Sequence, residues 1–139
     1  MAETPITGHC LCGAVSFSAP SRPKWTALCH CESCRRACSA PIVAWMGFAA
    51  GDVDWTGTRT FYHSSDIAIR GFCATCGTQM SFESANWPGE VHLYAISGHA
   101  PETYAPDLHC HYGERLDWLE IADDLPKYHA RAGEKDAAP

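Results

Sequence analysis

Nine cysteines stand in this chain of 139 residues, and seven fall into three tight groups: Cys10 with Cys12; Cys29, Cys31 and Cys34; Cys73 with Cys76. Thiolates ligate soft and borderline metal ions, and zinc takes four such ligands in tetrahedral closed sites. Gathering Cys29, Cys31 and Cys34 on one ion closes only short loops. The two remaining pairs then supply four ligands, enough for a closed structural zinc held by Cys10, Cys12, Cys73 and Cys76. The middle group supplies three, the count of a zinc with an open position. The spacing therefore predicts two zinc ions, one structural and one reactive. A centre rich in thiolate is a poorer Lewis acid than a three-histidine zinc. It suits holding and exchanging a sulfur ligand better than making hydroxide.

Other readings of these residues stay beside this one. A Cys-x-x-Cys pair also serves redox exchange, but that reading needs a βαβ pattern, which the chain does not display. Cys38 lies four residues after Cys34 and on a helix would share its face. It is either a fourth ligand that closes the middle site or a small buried residue. Cys110 stands alone between two histidines and reads as core. His9 and His30 adjoin the cysteine groups as ligands or as neighbours that donate hydrogen bonds. His109 and His111, one residue apart, would share one face of a strand. Arg35, Arg36 and Arg70 are candidates to pair with substrate carboxylates, because a guanidinium offers a bidentate fork. Asp66, His30 and His63 are candidate general bases, and spacing does not choose among them.

The elements that must position these groups read as short strands. Apolar residues alternate over 13–18, 58–63, 67–72, 78–83 and 90–96, and run continuously over 42–48. Trp87-Pro88-Gly89 is a turn signal between the last two alternating stretches. One short helix fits Glu32–Cys38, with Pro41 to stop it. The segment 116–125 is ambiguous between helix and irregular chain, and 130–139 reads as a disordered tail. The expectation is one mainly-β zinc-binding domain over 1–129 with little helix. Charged residues make up 19% and hydrophobic residues 46%, an ordinary globular balance. The formal net charge of -6, with ten Lys and Arg, argues against a nucleic-acid partner. No stretch is long enough to span a bilayer, and no basic-then-apolar series opens the chain, so the expected location is the cytoplasm with no membrane partner.

Three stretches together resemble the glutathione-dependent formaldehyde-activating enzyme family, whose domain centromere protein V shares. They are Gly8-His-Cys10-Leu-Cys12-Gly13, Cys29-His-Cys31-Glu-Ser-Cys34-Arg35, and Arg70-Gly-Phe72-Cys73-Ala-Thr-Cys76-Gly77-Thr78. The ending from Leu116 to Tyr128 is similar to the family's usual close. The resemblance implies a β-tent of short antiparallel sheets, with a structural zinc on Cys10, Cys12, Cys73 and Cys76 and a catalytic zinc on Cys29, Cys31 and Cys34. It further implies a carbon–sulfur lyase chemistry, joining or parting a thiol such as glutathione and a small aldehyde such as formaldehyde. The alternative is a non-catalytic zinc-stabilised binding or scaffold module.

Overall fold

The structure, a computed structural model, describes residues 3–131. The tail expected over 130–139 falls, from residue 132 on, outside the described residues. The chain forms two compact units, one from Met1–Trp25 with Met46–Tyr104, the other from Thr26–Trp45 with Ala105–Pro139. Ten strands and one seven-residue α-helix are found among the described residues, so the fold is mainly β.

The first unit begins with β1 (Ile6–His9) and β2 (Ser16–Ala19), an antiparallel pair in which Gly8 faces Phe17. After β3 (Trp25–Cys29) and β4 (Val43–Ala49), β5 (Asp54–Thr56) joins the free edge of β2. Three longer strands follow as a meander: β6 (Arg59–Ser65), β7 (Ala68–Cys73) and β8 (Gln79–Ser84). The last strand of the unit, β9 (Glu90–Tyr94), pairs antiparallel with β8. The Trp87–Gly89 turn joins β8 to β9 as the sequence suggested. Burial in β9 is continuous from Val91 to Tyr94, and in β4 it runs unbroken from Trp45 to Phe48. Val91 and Leu93 are nearly sealed from solvent, as are Met80 and Phe48, and these residues form the unit's core with Val15 and Phe17. Strand β6 is exposed along almost its whole length.

The second unit holds the greater part of β3, the start of β4, the helix α1 (Glu32–Cys38) and β10 (His109–Cys110). Strand β10 lies parallel to β3, with Cys110 opposite Cys29. A parallel bridge from His109 to Lys127 fastens the following irregular segment on the other side. Helix α1 matches its expected bounds. The Cys31 sulfur accepts the Cys34 N–H as N-cap, and Ser39 closes the far end with φ of 50°, two residues before Pro41. Glu32 pairs with Arg36 across one turn at 2.8 Å, the favourable order for such a pair. No helix among the described residues is long and apolar enough to cross a membrane.

Two expectations need correction here. His109 and His111 do not share a strand face, because β10 ends at Cys110 and His111 takes a left-handed φ of 50°. His109 is fully buried, whereas His111 is half-buried against Glu114. Arg70, read from the sequence as a candidate to pair with a substrate carboxylate, is instead engaged inside the first unit. It is 6% exposed, with its guanidinium over the Phe82 ring and donating to the Tyr94 hydroxyl.

The burial pattern predicts unequal costs for truncation within one short stretch. Leu93→Ala should destabilise the protein by about 2–5 kcal/mol through loss of burial and a residual cavity. Ile96→Ala, at a residue 65% exposed, should stay within about 0.5 kcal/mol of the parent. Urea denaturation of the two variants checks this, and equal midpoints would contradict it.

Candidate metal centres

In the first unit, Cys10 and Cys12 follow β1, while Cys73 ends β7 and Cys76 lies in the turn before β8. The two turns are built alike. Gly13 donates to the Cys10 carbonyl, and Cys10 N–H to that of Val15. Gly77 likewise donates to the Cys73 carbonyl, and Cys73 N–H to that of Thr78. Each turn needs a glycine after its second cysteine, since Gly13 and Gly77 sit at φ of 82° and 79°. Sulfur-directed donors complete the frame. Val15 N–H points at the Cys10 sulfur at 3.3 Å, and the Thr78 hydroxyl lies 3.2 Å from the Cys76 sulfur. Thr78 also accepts the Leu11 N–H, which ties one turn to the other.

The four ligand atoms of Cys10, Cys12, Cys73 and Cys76 lie within 4.8 Å of one another. Four sulfurs bound at ~2.3 Å around a tetrahedral zinc stand ~3.8 Å apart. Cys10 to Cys12 is 3.6 Å and Cys12 to Cys73 is 3.8 Å, so the donor set and its spacing fit such an ion. The thiols are also driven apart in acidity. Hydrogen bonds from the Thr78 side chain and backbone draw Cys76 down to about 5. The Ala14 backbone pulls Cys12 down, but burial and the neighbouring thiols outweigh it and lift Cys12 to about 11. Thiolates gathered this closely repel unless a cation neutralises them.

In the second unit, Cys29 ends β3, Cys31 caps α1 and Cys34 lies in its first turn. Their three ligand atoms also lie within 4.8 Å of one another, with Cys29 and Cys34 buried and Cys31 half-buried. The gathered group has three members, and Cys38 at the far end of α1 is not one of them. Cys110 was read as plain core. It is half-buried, and its thiol hydrogen-bonds that of Cys29. That contact, with the Cys31 thiol and burial adding to it, pushes Cys29 well above the ordinary thiol range. Cys31 rises to about 11, as Cys34 and burial outweigh the pull of Cys29. As in the first cluster, a cation is what would let these thiols ionise together.

The residue between two of these cysteines is held from several sides. His30 is 1% exposed. Its N–H donates to the Cys110 carbonyl at 3.1 Å, and its own carbonyl accepts Arg35 Nε–H at 3.0 Å. Its ring Nε2 lies 2.8 Å from His109 Nδ1, and His109 Nε2 lies 2.8 Å from Asp123 Oδ2. Tyr112 closes edge-on over both imidazoles. His109 and Asp123 are site residues that composition and spacing did not reveal. His9 instead bonds the Cys10 carbonyl and lies beside His99, and it belongs to neither cysteine group. Asp66 and His63 fall in the first unit, on the exposed turn and strand around β6.

The directions of the His30–His109–Asp123 chain follow from its ends. Asp123 Oδ1 already accepts Leu125 N–H and the Lys127 ammonium. Oδ2 accepts from His109, and that hydrogen bond first of all holds Asp123 below the usual carboxylate range. With His109 uncharged and donating to Asp123 from Nε2, its Nδ1 would accept, and His30 would donate from Nε2. Burial pulls His30 down to about 4 and keeps it neutral. Its Nδ1 is buried with no hydrogen-bond partner, and in this arrangement it would carry a lone pair. Asp123→Asn should reverse the chain. The amide oxygen stays with Leu125 and Lys127, the NH₂ turns to His109, and the His30 proton moves to Nδ1. Long-range ¹⁵N–¹H correlation spectra read the change, and an unchanged His30 tautomer would contradict the assignment.

With this geometry in hand, comparison with known proteins is direct. The model of the glutathione-dependent formaldehyde-activating enzyme family matches residues 5–114, which takes in all seven clustered cysteines. The closing segment from Leu116, with Asp123, lies beyond the match. An uncharacterized lyase of Schizosaccharomyces pombe is 37% identical over 79 residues. That stretch covers 57% of this chain and 58% of the relative, less than two thirds of its length. The crystal structure of a Rhodobacter sphaeroides protein shares the fold, with a TM-score of 0.54 at 20% identity over 72% of this chain and 97% of that one. The family model spans most of the sequence and includes every cysteine of both clusters; the chain belongs to the glutathione-dependent formaldehyde-activating enzyme family.

Proposed function

We propose that the chain is a zinc-dependent carbon–sulfur lyase that acts on a thiol–aldehyde adduct such as S-(hydroxymethyl)glutathione. The observation that carries this reading is the three-membered sulfur group of Cys29, Cys31 and Cys34. Three soft donors match zinc and leave room for one more ligand. Cys10, Cys12, Cys73 and Cys76 would hold a second zinc in a closed site. Family membership and the lyase relative support the reaction class.

The reaction balances without oxidant or reductant. In the forward sense a thiol R–SH adds to an aldehyde carbon, a C–S bond forms, and the thiol proton ends on the aldehyde oxygen. In reverse, the hydroxyl of R–S–CH₂–OH loses its proton, the C–S bond breaks, and the thiol regains a proton. Zinc held by Cys29, Cys31 and Cys34 would supply positive charge that makes a substrate thiol more acidic. The chain's own residues supply the frame. Arg35 Nε and the Cys110 carbonyl pin the His30 backbone between two of the sulfurs. His109 and Asp123 pin its ring. The Cys31 sulfur, as the acceptor of Cys34 N–H, fixes the start of α1 against the group. Such supports around a metal ligand commonly change metal affinity or activity 10–100-fold when removed.

The test separates the two clusters. Protein purified without chelator should carry two zinc ions per chain. Cys31→Ser should lose one of them and the condensation of formaldehyde with glutathione, while melting near the parent. Cys73→Ser should lower the melting temperature sharply, because zinc binding there is coupled to folding of segments sixty residues apart. One zinc per chain in the parent, or full activity in Cys31→Ser, would overturn the proposal.

A further inference from the structure

Cys110 touches the three-cysteine group without belonging to it. It stands opposite Cys29 on the paired parallel strands β10 and β3, and the two thiols share a hydrogen bond. Backbone bonds hold the register on either side. Leu28 N–H donates to the Leu108 carbonyl at 2.9 Å, and His30 N–H to that of Cys110 at 3.1 Å. Neighbouring strands stand about 4.7–4.9 Å apart, inside the range of about 4.4–6.8 Å that a disulfide spans between its Cα atoms. A bond between these two sulfurs therefore needs no large movement of the backbone. Access differs between them, since Cys29 is 4% exposed and Cys110 half-buried. Cys31 and Cys34 are the rival pair, a Cys-x-x-Cys across the start of α1. Both belong to the gathered group and Cys110 does not, so Cys110 is the thiol left to meet an oxidant while a cation engages the other three.

We propose that Cys110 and Cys29 form a peroxide-reactive modification site, at which oxidation ties the two sulfurs into a disulfide and withdraws Cys29 from the metal group. This rests on the reading of Cys29, Cys31 and Cys34 as the holders of a zinc ion. In the first step the Cys110 sulfur attacks one oxygen of hydrogen peroxide. The O–O bond breaks, the sulfur is oxidised to the sulfenic acid, and the peroxide is reduced to water. In the second step the Cys29 sulfur attacks the Cys110 sulfur. The S–S bond forms, the S–O bond breaks, and the hydroxyl leaves as water. Its proton comes from the Cys29 thiol or, where that sulfur is a metal ligand, from solvent. Two thiols and one peroxide thus give one disulfide and two waters. Cys31 and Cys34 alone fall short of the three or four protein ligands that zinc sites use, so the ion is released. A dithiol reductant exchanges with the new bond and restores the group.

Hydrogen peroxide added to the intact zinc-loaded protein tests this by two readouts besides activity. A chromophoric chelator should detect one zinc released per chain, and the protein should lose the mass of two hydrogens. Fragmentation of the digested protein should join Cys29 to Cys110. Dithiothreitol followed by zinc should restore the original metal content. Cys110→Ser keeps the three ligands, so before oxidation its zinc content should equal the parent's. At the same peroxide dose it should release zinc about tenfold more slowly, because the exposed thiol that reacts first is gone. A disulfide between Cys31 and Cys34 in the parent, or zinc release from Cys110→Ser at the parent's rate, would overturn the proposal. So would a parent that takes up oxygen at Cys110 and keeps both zinc ions. The Cys29–Cys110 disulfide with zinc release, found in a protein that catalyses no condensation, would support this site and count against the lyase reading alone.

Discussion

Sulfur atoms brought within 4.8 Å of one another are stable as thiols or as metal ligands, but not as bare thiolates. Mutual repulsion in a partly buried place raises the cost of each successive ionisation. That constraint governs both units. In the first, two glycine-closed turns whose cysteines Cys12 and Cys73 stand 61 positions apart bring in four sulfurs, and Thr78 ties the turns together. In the second, a strand end and the first turn of a short helix bring in three. A cation bound among the sulfurs would relieve the repulsion between their thiolate forms.

The clusters differ in what surrounds them. Around Cys10, Cys12, Cys73 and Cys76 the partners are backbone N–H groups and one hydroxyl, short-range features of the turns themselves. Around Cys29, Cys31 and Cys34 the supports are long-range and polar. Arg35, the Cys110 carbonyl, His109 and Asp123 all converge on His30. These contacts fix the backbone and ring of His30 between Cys29 and Cys31. The Cys110 thiol beside Cys29 is the nearest thing to a fourth sulfur, and it enters from the neighbouring strand rather than from the helix that carries Cys38.

The local features were legible in the sequence. The alternating stretches became β6, β7, β8 and β9 within a residue or two, and Glu32–Cys38 became α1, because periodicity and a proline stop act over a few residues. The division of the cysteines into four and three was legible because short loops close at low entropic cost. What escaped notice depends on tertiary contact. His109 and Asp123 meet His30 across 79 and 93 positions of chain, and no spacing rule reaches that far. The left-handed turn at His111 broke an alternation that would otherwise have put it beside His109. Arg70 read as a candidate for a substrate carboxylate, whereas its guanidinium lies over Phe82 and donates to Tyr94, contacts made across the sheet. Cys110 looked like core because its partner lies on a parallel strand eighty residues earlier.

The central claim is that the group of Cys29, Cys31 and Cys34 accepts a sulfur from outside the protein. Cobalt in place of zinc reads this directly, since each added thiolate strengthens the sulfur-to-metal charge-transfer absorption. Glutathione should raise that band at neutral pH and less so in acid, where the thiol keeps its proton; S-methylglutathione should leave it unchanged. If glutathione has no effect, while Cys110→Ala or Cys38→Ala alone lowers the band, the protein closes the site with its own sulfur and the account is contradicted.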